Sequence, residues 1–381
     1  MKIGALSEYS QLKNYKALPK ICVEFICGLK IKRLEMDFLT SFNQVYVNIN
    51  LAALRENIQY TYELCRKKSI DLAVVAKSIC ADKRIMDVIE ESPANIIADS
   101  RLDNFCAVNT EKTRFLIRPS SVMEAQAAIM YSDISMQTSI ETVKALEAAA
   151  ESAGKVHDIL IMIDLGDLRD GIYYTDRMTI LNMGRYIHES SFLRLAGIAA
   201  NYNCFSHLLP NDENMNTAVE IFHMLKPYYD TDFPIVSCGN SSAVTLLTGS
   251  NIDIPKEINQ FRIGEAIVLG RDPSDNTLIP GYRYDTFILE AALIEVYDKP
   301  VNGRIMRRGV LSIGKQDLII EHIIPIDEKV HILGACSDEC VVDLSDVPEY
   351  QAGDFVKFHL EYDALMTLFS GRFFQKKYID Q

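Results

Sequence analysis

The sequence predicts an α/β protein: a (β/α)8 TIM barrel followed by a mainly β C-terminal domain. Three observations predict it. Eight short apolar segments follow one another between Leu72 and Gly264, most of them joined by helical stretches. Beyond the Pro/Gly/Asp-rich joint "LGRDPSDNTLIPGYRYD" the helices give way to strand-like segments. The chain has 381 residues, a length that suits two domains, and 48% of them are hydrophobic, which supports a large core and argues against disorder.

Residues 1–43 read as an extension that packs locally or is mobile, with Met36 as an alternative start. "QVYVNIN" is a strand. "LAALRENIQYTYELCRKK" has Leu51, Leu54, Ile58, Tyr62 and Cys65 at helical spacing, and Asn50 is placed to cap it. The eight strands follow: "LAVVAK", "NIIAD", "RFLIRP", "DISMQT", "DILIMIDL", "RLAGIAAN", "PIVSCGN" and "INQFRIG". Between them, "KRIMDVIEES" and "MTILNMGRYIHES" read as helices, and "SIETVKALEAAAESAG" carries a start signal at Ser139 and a stop at Gly154. The domains expected are 44–275 for the barrel and 276–381 for the β domain, built on "FILEAALIEVYD", "RRGVLSIG", "KVHILGA", "CVVDLSD" and "DFVKFHLEY". An open doubly wound sheet is the alternative. No GxGxxG follows the first strand, which removes support for its dinucleotide-binding version.

A net charge of −13, from 39 basic and 52 acidic residues, argues against nucleic acid as the main partner. The nine cysteines are scattered, with no CxxC, and the Cys336/Cys340 pair has no matching histidines. That points to reduced thiols in a cytoplasm and to no metal. No run reaches the roughly 18 apolar residues of a membrane span, and the N-terminus lacks the order of a signal peptide.

The chemistry gathers at strand ends. Lys77 ends the apolar run "DLAVVA", at a strand-to-helix corner. Two readings stand there: a lysine reaching past the sheet into water, or a ligand-binding amine at the edge where such folds bind ligands. Arg169 follows the fifth strand; Asn240, Ser241 and Ser242 follow the seventh; Arg262, Gly264 and Glu265 close the eighth. A lysine, two arginines and a Gly/Asn/Ser turn suit an anionic, carbonyl-bearing cofactor. For Arg262 a surface salt bridge is the plain alternative, and for "GNSSA" an ordinary turn with a helix cap.

These segments resemble the alanine racemase type of pyridoxal phosphate enzymes, and within it the ornithine racemase branch. The resemblance covers roughly residues 44–381 and rests on the order and spacing of "VVAKSICADKRI", "IIADSRLDN", "DISMQTSIETVKALEAAA", "IMIDLGDLRDG", "PIVSCGNSSAVTLL", "NQFRIGEAIVLGR", "SIGKQDLI" and "GACSDECVVDLSD". It implies pyridoxal phosphate as cofactor. Lys77 would carry it as a Schiff base and serve as one of two proton-transfer bases. Arg262 would face the pyridine nitrogen and keep it unprotonated, a weaker electron sink that disfavours transamination. Ser241 and the amides near Gly264 and Glu265 would hold the phosphate, with Asn240 in the same turn. Tyr362 matches the family's phosphate-binding tyrosine, with core packing as the alternative. Arg169 would lie near the cofactor's phenolic oxygen or the substrate carboxylate. Asn201 falls where relatives carry a histidine. Asp338 matches a substrate-side position reached from the β domain of the other subunit of a homodimer, and is the candidate partner for a basic substrate's distal ammonium.

Three departures stand out. The tyrosine four residues after the lysine is Ala81, and the lysine before the Asp of the fifth-strand motif is Met162. The loop that carries the second base is shortened in "IEVYDKPVNGRIMRRGVLSIG". Racemisation by two bases needs an acceptor on each face of a planar carbanion. Cys336, Asp338 and Tyr297 are the candidates left. The expected activity is racemisation of ornithine or a similar basic amino acid. The alternatives are a pyridoxal phosphate-binding protein without catalysis, favoured by the short loop, and a different reaction on the same fold.

Overall fold

The structure, a computed structural model, describes residues 44–249, 252–372 and 374–380. The expected extension, residues 1–43, lies outside the described residues.

Strand β1 (Val45–Asn50) runs directly into helix α1 (Leu51–Lys67). Asn50 is the cap, its side-chain oxygen accepting the Ala53 N–H at 3.0 Å. Helical spacing sends Leu51, Leu54, Ile58 and Cys65 into the core.

Eight parallel strands then close a barrel: β2 (Asp71–Val75), β3 (Ile96–Asp99), β4 (Thr113–Leu116), β5 (Ile134–Gln137), β6 (His157–Asp164), and, past the two-residue β7 (Ile172–Tyr173), β8 (Leu193–Ala200), β9 (Ile235–Cys238) and β10 (Gln260–Ile263). They pair in chain order, β7 lying beside β6, and β10 returns to β2 with Arg262 opposite Ala73. These are the eight segments marked in the sequence. Inward residues such as Ala73, Ala98, Phe115, Met136, Leu160 and Ala199 fill the barrel. The outward apolar residues pack under the helices, which is why these strands lack polar alternation. The helices are α2 (Lys83–Glu91), α3 (Leu102–Ala107), α4 (Ala125–Tyr131), α5 (Ile140–Ala153), α6 (Arg177–Glu189), α7 (Asp212–Met224), α8 (Val244–Thr248) and α9 (Glu265–Leu269). Both signals of α5 hold: Ser139 accepts the Thr142 N–H, and Gly154 ends the helix at φ 61°, a conformation that costs glycine little.

The remaining strands form a mainly antiparallel sheet. They are β11 (Phe287–Val301), β12 (Arg304–Leu311), β13 (Ile323–Pro325), β14 (His331–Ala335), β15 (Cys340–Asp343), β16 (Phe355–Leu360) and β17 (Gln375–Ile379), with α10 (Tyr362–Ser370) between the last two. Their order is β13–β16–β11–β12–β15–β14. β1 joins this sheet, antiparallel to β11 and parallel to β17. Its alternating burial belongs to a sheet with one covered face, unlike the barrel strands. The shortened segment is the β11–β12 hairpin, closed tightly by Asn302 (φ 49°) and Gly303 (φ 78°).

The two sheets are tied near Lys77. Asp82 Oδ1 accepts the Ile85 N–H at the start of α2, and Oδ2 accepts from Lys376 Nζ at 2.6 Å and Tyr378 Oη at 2.7 Å, on β17.

Candidate active site

A cavity of about 950 Å3 opens at the C-terminal ends of the barrel strands. Lys77, Arg169, Asn201, Asn240, Ser241, Arg262, Gly264, Glu265 and Tyr362 all line it. Each of the first eight sits at or just past a barrel strand end, where the backbone leaves the sheet and side chains turn into one space. Tyr362 comes from the start of α10.

Lys77 follows β2 and opens a single 3-10 turn. Its ammonium makes no salt bridge among the described residues and lies 5.8 Å from the centre of the Tyr362 ring. Burial pushes the Tyr362 phenol well up from its ordinary range, so the ring carries a neutral hydroxyl.

Arg262 is within β10 and 3% exposed, which excludes a surface salt bridge. Its Nη1 donates to Ser237 O and Ser237 Oγ, each at 2.5 Å. Its Nη2 donates to Ala200 O at 2.7 Å and Asn201 Oδ1 at 2.6 Å. A guanidinium has five N–H groups; these bonds occupy the four terminal ones and leave Nε–H. Burial draws the guanidinium pKa down from its usual value, with Cys238 and Cys204 opposing.

Ser241 Oγ accepts the N–H groups of Gly264 and Ala266 at 3.2 and 3.4 Å, which locks the β9 and β10 ends together. A Cβ on Gly264 would fall 2.8 Å from that of Val75, so bare backbone is required there. Asn240 Nδ2 donates to Tyr202 O at 2.6 Å and to Cys204 Sγ at 3.5 Å. Asn240 Oδ1 is shielded from solvent with no protein partner. Arg169 grips Asp170 through two N–H groups, at 3.1 and 3.2 Å.

Asp338, Cys336 and Tyr297 do not line this cavity. Asp338 stands in the β14–β15 turn, its backbone packed on Gly314. Tyr297 lies in the β11–β12 hairpin opposite Arg308, with Lys299 Nζ 4.3 Å from its ring centre. Met162 is buried inside the barrel. The sequence reading passed over Arg118, Cys204, His322, Glu361 and Asp363, which also line the space. Arg118 and Cys204 each follow a barrel strand, a signal that was there to read. His322 Nδ1 bonds Glu361 Oε2 at 2.7 Å, and Glu361 Oε1 accepts from Asn276 Nδ2; nothing local brings these three together.

Fold and site define a class: a β/α barrel that offers an amine, a buried guanidinium and a serine/glycine cradle at one end. The chain belongs to the alanine racemase family. The model of the alanine racemase N-terminal domain matches residues 49–272. An ornithine racemase of Acetoanaerobium sticklandii is 32% identical over 351 residues, covering 87% of this chain and 98% of that one. A lysine racemase of Thermotoga maritima is 29% identical over 351 residues, covering 87% and 97%. Among solved structures, the alanine racemase of Streptomyces coelicolor A3(2) aligns with a TM-score of 0.74 at 15% identity, over 90% of this chain and all of that one. That of Corynebacterium glutamicum gives 0.72 at 17%, over 89% of this chain and 100% of that one. No described helix is long and apolar enough to cross a membrane.

Proposed function

We propose that the chain is a pyridoxal phosphate-dependent racemase of a basic amino acid, ornithine first. The observation that carries this is the meeting of Lys77, Arg262 and the Ser241–Gly264 cradle in one cavity. The names of the two curated relatives, an ornithine and a lysine racemase, support a substrate with a distal amine.

The residues fit the cofactor. Ser241 and the backbone at Gly264 and Glu265 line the cavity where a phosphate would sit, and Arg262 keeps Nε–H for the ring nitrogen. When bound, pyridoxal phosphate supplies an aldehyde for amino groups and a ring that draws electrons from Cα. Lys77 is the amine that would hold the aldehyde, and its Nζ then takes or returns a proton at Cα. Asn201 holds Arg262 from the side through the 2.6 Å bond. Arg262 cannot give up its proton to the ring nitrogen, so it moderates the electron demand. Ser241, the Glu265 amide and Tyr362 would hold the phosphate, with Asn240 closing that turn. The Arg169 fork suits the substrate carboxylate.

Asp338 and the rest of its turn would act from the other subunit of a homodimer. Their absence from the single-chain cavity supports that reading. The division at residues 275/276 is proposed as the boundary between the barrel and β units, with β1 exchanged into the second sheet. Free thiols at the described cysteines support a cytoplasmic location.

The test is an absorbance spectrum of the purified protein beside Lys77→Ala, followed by chiral analysis of L-ornithine incubations. A visible band of lysine-bound cofactor that vanishes in the variant, with D-ornithine formed only by the parent, is expected. A band without isomerisation of any basic amino acid would make the protein a binder or an enzyme of different outcome. Absence of the band would remove the cofactor.

A further inference from the structure

The phosphate end of the cavity contains a residue of the wrong sign. Glu265 directly follows Gly264, and the residues on either side of it, Gly264 and Ala266, both turn their N–H groups to Ser241 Oγ. Glu265 lines the cavity with Lys77, Ser241 and Tyr362. Burial has the largest effect on the Tyr362 phenol, and Glu265 is the leading charge that acts on it. The carboxyl therefore stands near both groups that the cofactor reading above assigns to the phosphate, the serine turn and the tyrosine.

No cation is bound to this carboxyl. It makes no hydrogen bond and no ion pair among the described residues, and Lys77 acts on it from beyond ion-pair distance. The other charges around it are acidic. Glu361 and Asp363 face it from the start of α10, and Asp272 faces it from the segment after α9. Glu361 is already taken by His322 and Asn276, and Asp272 by Ser274. In this company an ionised Glu265 would repel a phosphate, whereas the neutral acid has an O–H to give it. We propose that Glu265 is a ligand of the cofactor phosphate in its protonated form, its carboxyl O–H donating to a phosphate oxygen, so that loading the cofactor takes up one proton from solvent. The inference rests on the cofactor reading and extends it to the side chain of a residue whose amide alone was assigned there.

The direction of the pH dependence follows. Burial pushes the Glu265 carboxyl up to about 7 in the protein alone. A phosphate dianion beside it raises it further. Below about pH 7 the proton is in place before the cofactor arrives. Above that value it has to be drawn from solvent, and affinity falls with rising pH by up to about tenfold per pH unit. The second ionisation of the phosphate itself, at about pH 6, lies below that window.

The probe is pyridoxine 5'-phosphate, which carries an alcohol where the cofactor has its aldehyde and so binds without bonding to Lys77. Calorimetric titration of cofactor-free protein from pH 6 to 9, in two buffers of different ionisation enthalpy, gives both the affinity and the protons taken up. At pH 8 the parent should take up most of one proton. Glu265→Gln keeps a neutral donor; it should match the parent near pH 6, bind roughly tenfold tighter than the parent at pH 8, and take up no proton there. Parallel affinity profiles, or no uptake by the parent at pH 8, overturn the proposal and leave the cofactor reading standing. So does an unchanged probe affinity in Glu265→Gln with weakened ornithine binding, which gives the carboxylate to the substrate's distal amine. Should the variant not fold or the probe not bind, infrared spectra of the parent decide. Loading with pyridoxal phosphate at pH 8 should raise the carboxyl C=O band of protein labelled with 13C-glutamate, and an unchanged band overturns the proposal. A parent that binds neither pyridoxine phosphate nor pyridoxal phosphate ends both readings.

Discussion

Burial pushes the Glu265 carboxyl up to about 7; Lys77 opposes the shift, and Asp363, Asp272 and Glu361 add to it. The folded protein therefore binds a proton at Glu265 between about pH 4.5 and 7 that the unfolded chain has released. Stability from this group is complete below the unfolded value and is lost as pH rises through the folded one. Glu265→Gln should flatten that fall, which is worth up to roughly 3 kcal/mol. Thermal midpoints of parent and variant from pH 4 to 8 check it, and parallel curves would refute it. At this scale the sequence was informative wherever a residue's role depends on its own strand end. Lys77, Arg169, Ser241 and Arg262 were legible for that reason. The pairings that tune them were not: Asn201, a candidate through the family resemblance, bonds Arg262 from 61 residues away, and Glu361 lies 85 from Asn276.

Among elements, the helix caps and barrel strands followed local rules, as Asn50, Ser139 and Gly154 illustrate. β1 obeyed its own pattern too, but the partner of a strand is not written in the strand. Its alternating burial asked for a sheet with one covered face, and β11 and β17 supplied it from the far end of the chain. Asp82 fixes that arrangement, capping α2 with one oxygen and holding Lys376 and Tyr378 with the other. Its side chain is only 4% exposed. Asp82→Ala should cost about 1–3 kcal/mol, because a helix cap is lost together with the hydrogen bonds to Tyr378 and to the partly exposed Lys376. It should also loosen the α2 end of the Lys77 corner. Denaturant unfolding measures the first effect, and the ratio of bound cofactor to protein measures the second. A variant as stable as the parent would mean that solvent replaces Asp82 at little cost.

The cavity is lined from both parts of the chain. The barrel ends supply Lys77, Arg262 and the Ser241–Gly264 turn; the start of α10 and the short turn before β13 supply Tyr362, Glu361 and His322. A homodimer in which the β14–β15 turn of one chain reaches the cavity of the other predicts that activity depends on association. Sedimentation and activity measured over the same dilution series should fall together. A monomer with undiminished activity would show that the cavity is complete in one chain. Sequence by itself determined the barrel, the order of its strands and the strand-end residues Lys77, Arg169, Asn240, Ser241, Arg262, Gly264 and Glu265 at its mouth. Each of these depends on short-range patterns: apolar runs with both faces covered, caps, and polar residues at strand ends. Tertiary structure alone decided that β1 crosses to the second sheet and that Arg262 is held by Asn201 and Ser237. Those outcomes depend on which distant segments meet when the barrel closes, and local sequence carries no record of that meeting.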